Sequence, residues 1–417
     1  MSSRCLWWDQ AGVGTRAFQF NFCVANVFVR TLFLASVRQS FQFKLFGCNR
    51  LRHLDRTIDV ASEIWNHSVA LKNRYYKMFG KGLPKSRLQP HLAKLRRTRF
   101  PHWKSVGSQS IQAITDRLYL GWEAFFKGNI KRPPTFRKRK KYRSFTLKQS
   151  GYKVLGHGRI RILGRTYRFN QSRPITGIVK TVTVRRDPIK DFHITFSCDQ
   201  VAQPEQAPKT GLTAGADFGL KDFLTLSTGE RIAAPQPLKA ELRHLRKAQR
   251  VLSRKQKGSK ARNRARLDVA RVHKKVANIR NDWQWKQARM LLTVFDLLVF
   301  ETLNLKAMQQ LWGRKVGDFG FADFLLKAQW MAKKLGRDLV KIDCWEPTTK
   351  TCHLCGHRQD MPLNMRTFVC DGCGNVECRD VNAAHNILEA GRRLRPGDTS
   401  KTSQEASVVI TAESHAL

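Results

Sequence analysis

Apolar residues recur along the first half of the chain with two different periods. FQFKLF at 41–46 alternates apolar and polar positions and predicts a short strand. Leu54, Ile58, Ala61 and Trp65 then recur at helical spacing and predict a helix over 54–78. A second amphipathic helix is predicted over 108–127, on Ile111, Ile114, Leu118, Trp122 and Phe125. From 144 to 198 the pattern turns to strands, in SFTLKQ, GRIRIL, TYRFN, GIVKTVTVRR and FHITFSC, with glycines and prolines between them. Residues 39–200 are therefore expected to form a β-rich module with a helical insertion. The Pro- and Gln-rich DQVAQPEQAPKTGL ends this module, with a linker at 201–212.

The second half begins with AGADFGLKDFLTLSTGE, 214–230, which reads as strand, tight turn, strand. Leu238, Leu242, Leu245 and Leu252 mark one helix, and Val269, Val272, Val276 and Ile279 another. Gly258 and Ser259 break the stretch, so an antiparallel helical pair is expected over 238–290. VFDLLVF, 294–300, is a short apolar run that predicts a buried strand ending at Glu301. A further helix is predicted over 321–336 and a strand at KIDCW, 341–345. Residues 393–417 are polar and patternless, and a disordered tail is expected there. Residues 18–38 are apolar, but Asn21, Asn26 and Arg30 interrupt them, and a membrane span needs about 18 clean apolar residues. Residues 1–38 are expected to be an extension that stems from an upstream start codon.

Charge sharpens this outline. The 417 residues are enough for two or three domains, and 41% are hydrophobic, so most of the chain should fold. Lys and Arg total 77 against 31 acids, a net charge of +46. Such an excess repels itself unless an anionic partner neutralises it, and a phosphate backbone is the usual one. The basic residues are spread along the chain and form no short polybasic segment, which argues against a membrane partner. KRPPTFRKRKKYRSF, 131–145, sets eight cations among Phe136, Tyr142 and Phe145. Its Arg137, Lys138, Arg139, Lys140 and Lys141 are candidate phosphate contacts beside stacking aromatics, although a merely solvated basic loop reads the same way. Residues 238–290 carry 18 Lys or Arg against Glu241, Asp268 and Asp282. Arg254, Lys255, Lys257, Lys260 and Arg262, around the helical break, are further candidates.

Of ten cysteines, six (Cys5, Cys23, Cys48, Cys198, Cys344 and Cys378) are scattered. This is no secreted disulfide framework, and a reducing cytoplasm is expected. The other four form two CxxC pairs, Cys352 with Cys355 and Cys370 with Cys373, 14 residues apart. Two such knuckles present four thiolates to one structural Zn²⁺, and Gly356 and Gly374 supply the close turns after them. His353 and His357 lie nearby, but neither is needed as a ligand.

Three acids stand out in a chain so poor in them. Asp217 lies within GADFG, Glu301 ends LLVFE, and Asp380 opens a predicted helix in CRDVNAAHNIL. A carboxylate at the end of an apolar strand is costly unless paired. Several converging on one site call for a hard divalent cation, which can activate water for phosphodiester cleavage. Each acid alone has a bland reading, as a turn residue, a cap or a surface charge.

The ordered set resembles the split RuvC-type nuclease of TnpB proteins and of the related compact type V CRISPR effectors. GADFGL, VFETLNL and RDVNAAHNIL resemble its three motifs, which implies Asp217, Glu301 and Asp380 as catalytic, Mg²⁺- or Mn²⁺-binding acids. The resemblance also covers the CxxC ribbon, the basic hairpin and the FQFKLF and RPPTFRKRKKYRSF segments of an N-terminal β-barrel region. It implies an α+β multidomain protein: an RNase H-like nuclease unit at 213–349, a zinc ribbon at 350–376 and a last nuclease segment at 377–392. Arg379 is implied as a nucleic-acid contact. The implied partners are a guide RNA from the transposon end and a double-stranded DNA target, with the protein cytoplasmic and nucleoid-associated on DNA; a monomer is favoured, the oligomeric state being left open by the sequence. The family usually carries an acid two residues before the third catalytic Asp, where this chain has Cys378. Two other readings are an RNA-guided DNA binder without cleavage and an unrelated zinc-ribbon nucleic-acid protein.

Overall fold

The computed structural model describes residues 37–46, 51–200, 207–362 and 365–394. The expected N-terminal extension lies outside these residues except at 37 and 38, which belong to the first strand. The expected tail lies outside them from 395 onward, and 393 ends a helix.

The first unit is an antiparallel sheet with a helical insertion. β1 (Val37–Phe46) is longer than the FQFKLF run that announces it. Helices α1 (Leu51–Phe79), α2 (Lys85–Thr98) and α3 (Ser108–Phe126) follow before the chain returns to strands. These are β2 (Ser144–Leu147), β3 (Tyr152–Gly156), β4 (Arg159–Ile162), β5 (Arg165–Phe169), β6 (Ile178–Arg186) and β7 (Phe192–Gln200). The seven strands run in the order β2-β6-β7-β1-β5-β4-β3. β1 pairs with β7 from Val37↔Gln200 to Lys44↔His193 and passes to β5 only at Leu45 and Phe46, so it joins the two halves of the sheet. Its alternation is real: Phe41, Phe43 and Leu45 are buried, and they share a core with Leu54, Ile58 and Trp65 of α1, Ile114 and Leu118 of α3, and Phe145 and Phe196.

The second unit is a mixed sheet covered on both faces. Its strands are β8 (Thr213–Phe218), β9 (Leu224–Leu226), β10 (Arg231–Ile232), β11 (Leu297–Glu301) and β12 (Asp338–Ile342). The order is β10-β9-β8-β11-β12, with β8, β11 and β12 parallel. The basic pair α4 (Pro237–Ser253) and α5 (Lys260–Val294) connects β10 to β11, and α6 (Leu305–Phe319) and α7 (Phe321–Leu335) connect β11 to β12. Ser259 caps α5 by accepting from Arg262 N. β12 starts and ends three residues before the predicted KIDCW strand, so Asp343, Cys344 and Trp345 fall beyond it.

A small hairpin, β13 (Thr367–Val369) and β14 (Val376–Cys378), precedes the last helix, α8 (Arg379–Arg393). The α8 helix covers one face of the mixed sheet, packing Ile387 and Leu388 on Leu297, Val299 and Ile342. The opposite face packs Phe218, Phe223 and Phe300 against Leu291 of α5 and Phe321 and Phe324 of α7. A strand covered on both sides reads as a continuous apolar run, which is why LLVF shows no alternation. The two units meet where Lys274 of α5 pairs with Asp187 at 2.6 Å and Asp191 at 2.9 Å, beyond the end of β6. Among the described residues, no helix is long and apolar enough to cross a membrane.

Candidate active site and cysteine centre

Strand geometry aims the first two acids. Along β11, Leu298 and Phe300 join the core under α5 and α7, while Leu297 and Val299 face α8. Glu301 continues the second set, by the two-residue period of a strand. Along β8, Ala214, Ala216 and Phe218 belong to the first core, so Gly215 and Asp217 face α8. The ladder between these parallel strands runs up to Phe300↔Ala216, one residue short of both acids. Asp217 and Glu301 thus stand side by side at the carboxyl ends of adjacent strands, on the face that α8 covers. Asp380 lies in the first turn of α8, where the helix dipole favours an anion.

Close packing holds α8 there. A Cβ on Gly215 would sit 2.0 Å from the Ala384 carbonyl oxygen, and one on Gly391 would sit 2.3 Å from Val299 Cγ1. The two glycines let the helix lie directly on the strands. The electrostatics follow from the crowding. Burial, and then the charges of Glu301 and Asp380, push the Asp217 carboxyl up to about 7, against the opposing pull of Arg379. Burial also raises Glu301. Arg379 and Arg366 flank Asp380, at 3.5 and 3.7 Å. Arg231 donates to Cys378 Sγ at 3.0 Å, so a guanidinium stands beside that thiol.

The cysteines form a second centre beside α8. Cys352 Sγ lies 3.8 Å from Cys373 Sγ, and Cys355 Sγ lies 3.5 Å from Cys370 Sγ. A tetrahedral ion with metal–sulfur bonds of about 2.3 Å has sulfurs about 3.8 Å apart, so the donor set fits such an ion. Gly356 and Gly374 take φ of 74° and 72°, and each donates its N–H back to the first cysteine carbonyl of its knuckle. Among the described residues, two groups draw three or more ligand atoms within 4.8 Å, these cysteines and His353 with Glu377 and His385. The carboxylate triad is the looser arrangement.

Sequence reading passed over the link between the two centres. Asn382 is fully buried, accepts from His353 N at 2.9 Å and donates to the Thr351 carbonyl at 2.8 Å. Asn386, one turn later, donates to the same carbonyl at 2.6 Å. Two amides four residues apart on one helix face therefore clasp the first knuckle to the helix of Asp380. Their spacing in NAAHN is the signal that was available.

The basic candidates divide into two kinds. Arg139 pairs with Asp59 of α1 at 2.5 Å, and Arg137 lies over the Trp65 ring at 4.8 Å with its backbone held by Asn66. Arg262 donates to the carbonyls of Leu252 and Lys255, at 2.9 and 2.7 Å, and so closes the end of α4. All three make contacts within the fold, although Arg137 and Arg139 stay exposed. Arg379 stands among the acids and not on an outer basic face. Lys138, Lys140, Lys141, Arg254, Lys255, Lys257 and Lys260 are exposed. Sequence alone does not separate the two kinds, because both look like cations in basic runs.

Comparison with known proteins finds relatives along most of the chain. Residues 195–311 match the family model OrfB_IS605, described as "Probable transposase", and residues 321–387 match the "Cas12f1-like, TNB domain". A Streptomyces pristinaespiralis protein named "Putative RNA-guided DNA endonuclease" is 30% identical over 393 residues, covering 90% of this chain and 94% of its own. InsQ of Escherichia coli (strain K12), named in the same terms, is 27% identical, covering 85% of this chain and 93% of its own. A solved Cas12f1–sgRNA–target DNA complex shares the fold with a TM-score of 0.52 at 13% identity, covering 85% of this chain and 99% of the Cas12f1 chain. On the extent of these matches, and on the three acids and the cysteine knuckles they span, the chain belongs to the TnpB family.

Proposed function

We propose that this protein is an RNA-guided DNA endonuclease of a bacterial insertion sequence, cutting phosphodiesters at an RNase H-like (RuvC) site built by Asp217, Glu301 and Asp380. The observation that carries the reading is the placement of Asp217 and Glu301 side by side at the ends of adjacent parallel strands, on the face covered by the helix that Asp380 opens, where burial and the other two acids push the Asp217 carboxyl up to about 7. A divalent cation answers that crowding better than any other partner. Bound there, Mg²⁺ or Mn²⁺ supplies an activated water and neutralises charge on the leaving oxygen. Asp217 and Glu301 offer their oxygens from rigid strand ends, Asp380 closes from the helix, and Arg379 balances their charge and faces an incoming phosphate. Four thiolates, Cys352, Cys355, Cys370 and Cys373, hold a structural Zn²⁺ that keeps the knuckles folded.

The relatives' names supply the guided mode, and the chain's own +46 suits it. Sequence reading is left to a guide RNA derived from the transposon end. The protein grips phosphates through Lys138, Lys140 and Lys141 and through Arg254, Lys255, Lys257 and Lys260 at the tip of the helical pair. It works as a monomer in the cytoplasm, on double-stranded DNA. The test is co-expression with the DNA flanking its gene, sequencing of the copurifying RNA, and cleavage of a matching target in Mg²⁺. A discrete RNA and a cut lost in Asp217→Ala are expected. A random RNA mixture that washes off in salt would reduce the protein to a polyanion binder. Cys378 favours one alternative, a guided binder of weak activity, for which the same assay shows target binding with little cutting.

A further inference from the structure

His353, Glu377 and His385 come from three different elements and meet beside the cysteine centre. His353 lies inside the first knuckle, Glu377 on β14 and His385 on α8. Their ligand atoms all lie within 4.8 Å of one another, and all three residues are half-buried. The imidazoles stack, with centroids 4.4 Å apart and planes at 15°.

The polar contacts of the cluster leave one carboxylate oxygen poorly served. His353 Nδ1 faces two oxygens, Glu377 Oε2 at 3.1 Å and Asn382 Oδ1 at 3.1 Å. The Asn382 amide is oriented by its other bonds, since Nδ2 donates to Thr351 O while Oδ1 accepts from His353 N. Its oxygen is therefore an acceptor on the His353 side. Glu377 Oε2, though 3.1 Å from that ring nitrogen, has no hydrogen bond of sound geometry and is buried. A buried carboxylate oxygen that no hydrogen bond satisfies is costly. Two imidazole nitrogens and one carboxylate oxygen are a donor set for borderline divalent ions, Zn²⁺ foremost, and not for Mg²⁺.

We propose that His353, Glu377 and His385 form a second zinc-type metal site, separate from the four cysteines, which ties the first knuckle and β14 to the helix that carries Asp380. Three protein ligands leave one tetrahedral position for water. The site adds a metal crosslink to the clasp made by Asn382 and Asn386. It does not depend on the nuclease reading, because its readout is metal content.

The test uses the full chain with its copurified RNA, grown with Zn²⁺ and dialysed without chelator, and counts metal per chain by mass spectrometry. About two zinc ions are expected in the wild type, and about one in His385→Ala and in Glu377→Gln, which keeps the size of the side chain. After Co²⁺ substitution, the thiolate charge-transfer bands should persist in both variants while the weaker visible bands of a nitrogen–oxygen site disappear. One zinc per chain in the wild type overturns the proposal and leaves the cluster an imidazole–carboxylate contact. That count needs no variant, so a variant that fails to fold leaves the answer intact. Two zinc ions retained in both variants overturn it equally, by placing the second ion elsewhere.

Discussion

In the proposed site Asp217 has to carry a charge in a place that resists it. Its folded pKa of about 7 lies above the unfolded value of about 3.9. Between those two values the native state binds more protons than the unfolded chain, so this group's contribution to stability falls as pH rises and the full cost is felt above 7. In Mg²⁺-free buffer, Asp217→Asn should therefore melt a few degrees above the wild type at pH 8, with the gap closing by pH 4. Cleavage should be lost at every pH. Melting curves at the two pH values check this, and an unchanged gap would mean that the site is not crowded. Gly215 makes the opposite demand, for space. The obstacle to a side chain there is the backbone oxygen of Ala384, which no rotamer change can move. Gly215→Ala should cost at least about 1–3 kcal/mol and shift Asp380 away from the strands. A lower melting point together with a slower cut is the expected result; normal values for both would show that α8 rests elsewhere.

The strands that hold the acids are fastened at their other end. Asp296 directly precedes β11, and Arg337 directly precedes β12. The buried Arg337 guanidinium pairs with Asp296 and donates to the Pro208 and Leu292 carbonyls, while Asp296 accepts from Thr210 N and Gly211 N just before β8. One ion pair thus sets the starts of all three parallel strands. Arg337→Met should lower the melting temperature by on the order of 10 °C, because it leaves buried acceptors unpaired. A shift of only a degree or two would make the pair incidental. Elements of this kind differ in how far the sequence reveals them. β11 is readable because both faces are covered, and the α4–α5 pair because its leucines and valines keep one face. α2 is not, since Leu88 and Leu92 are its only buried residues and Pro90 interrupts it. α6 hides behind a kink at Trp312, and β3 behind a strand with no buried position. The same limit applies at the site. The acids and cysteines announce themselves by type and spacing. The glycines and asparagines that seat them act through backbone contacts, which leave little trace in a pattern of apolar residues.

At the scale of the whole molecule the governing quantity is +46, and the division among its cations decides what that charge can do. A cation already bound inside the fold releases no counterion when RNA arrives, whereas an exposed one does. Arg262 closes α4. Lys138, Lys140 and Lys141 lie exposed in the same basic segment as Arg139. On single strands each phosphate contact contributes about 0.7 to the slope of log affinity against log salt. Replacing Lys138, Lys140 and Lys141 by Ala together should flatten that slope by up to about 2 and leave the melting point nearly unchanged. Arg262→Ala should do the reverse, lowering the melting point as the end of α4 loses its partner while the slope stays put. Titrations of copurified RNA at several salt concentrations, run beside thermal melts, separate the two. If Arg262→Ala flattens the slope as much as one lysine does, its side chain leaves the α4 carbonyls to meet phosphate, and the inward cations belong to the RNA surface after all.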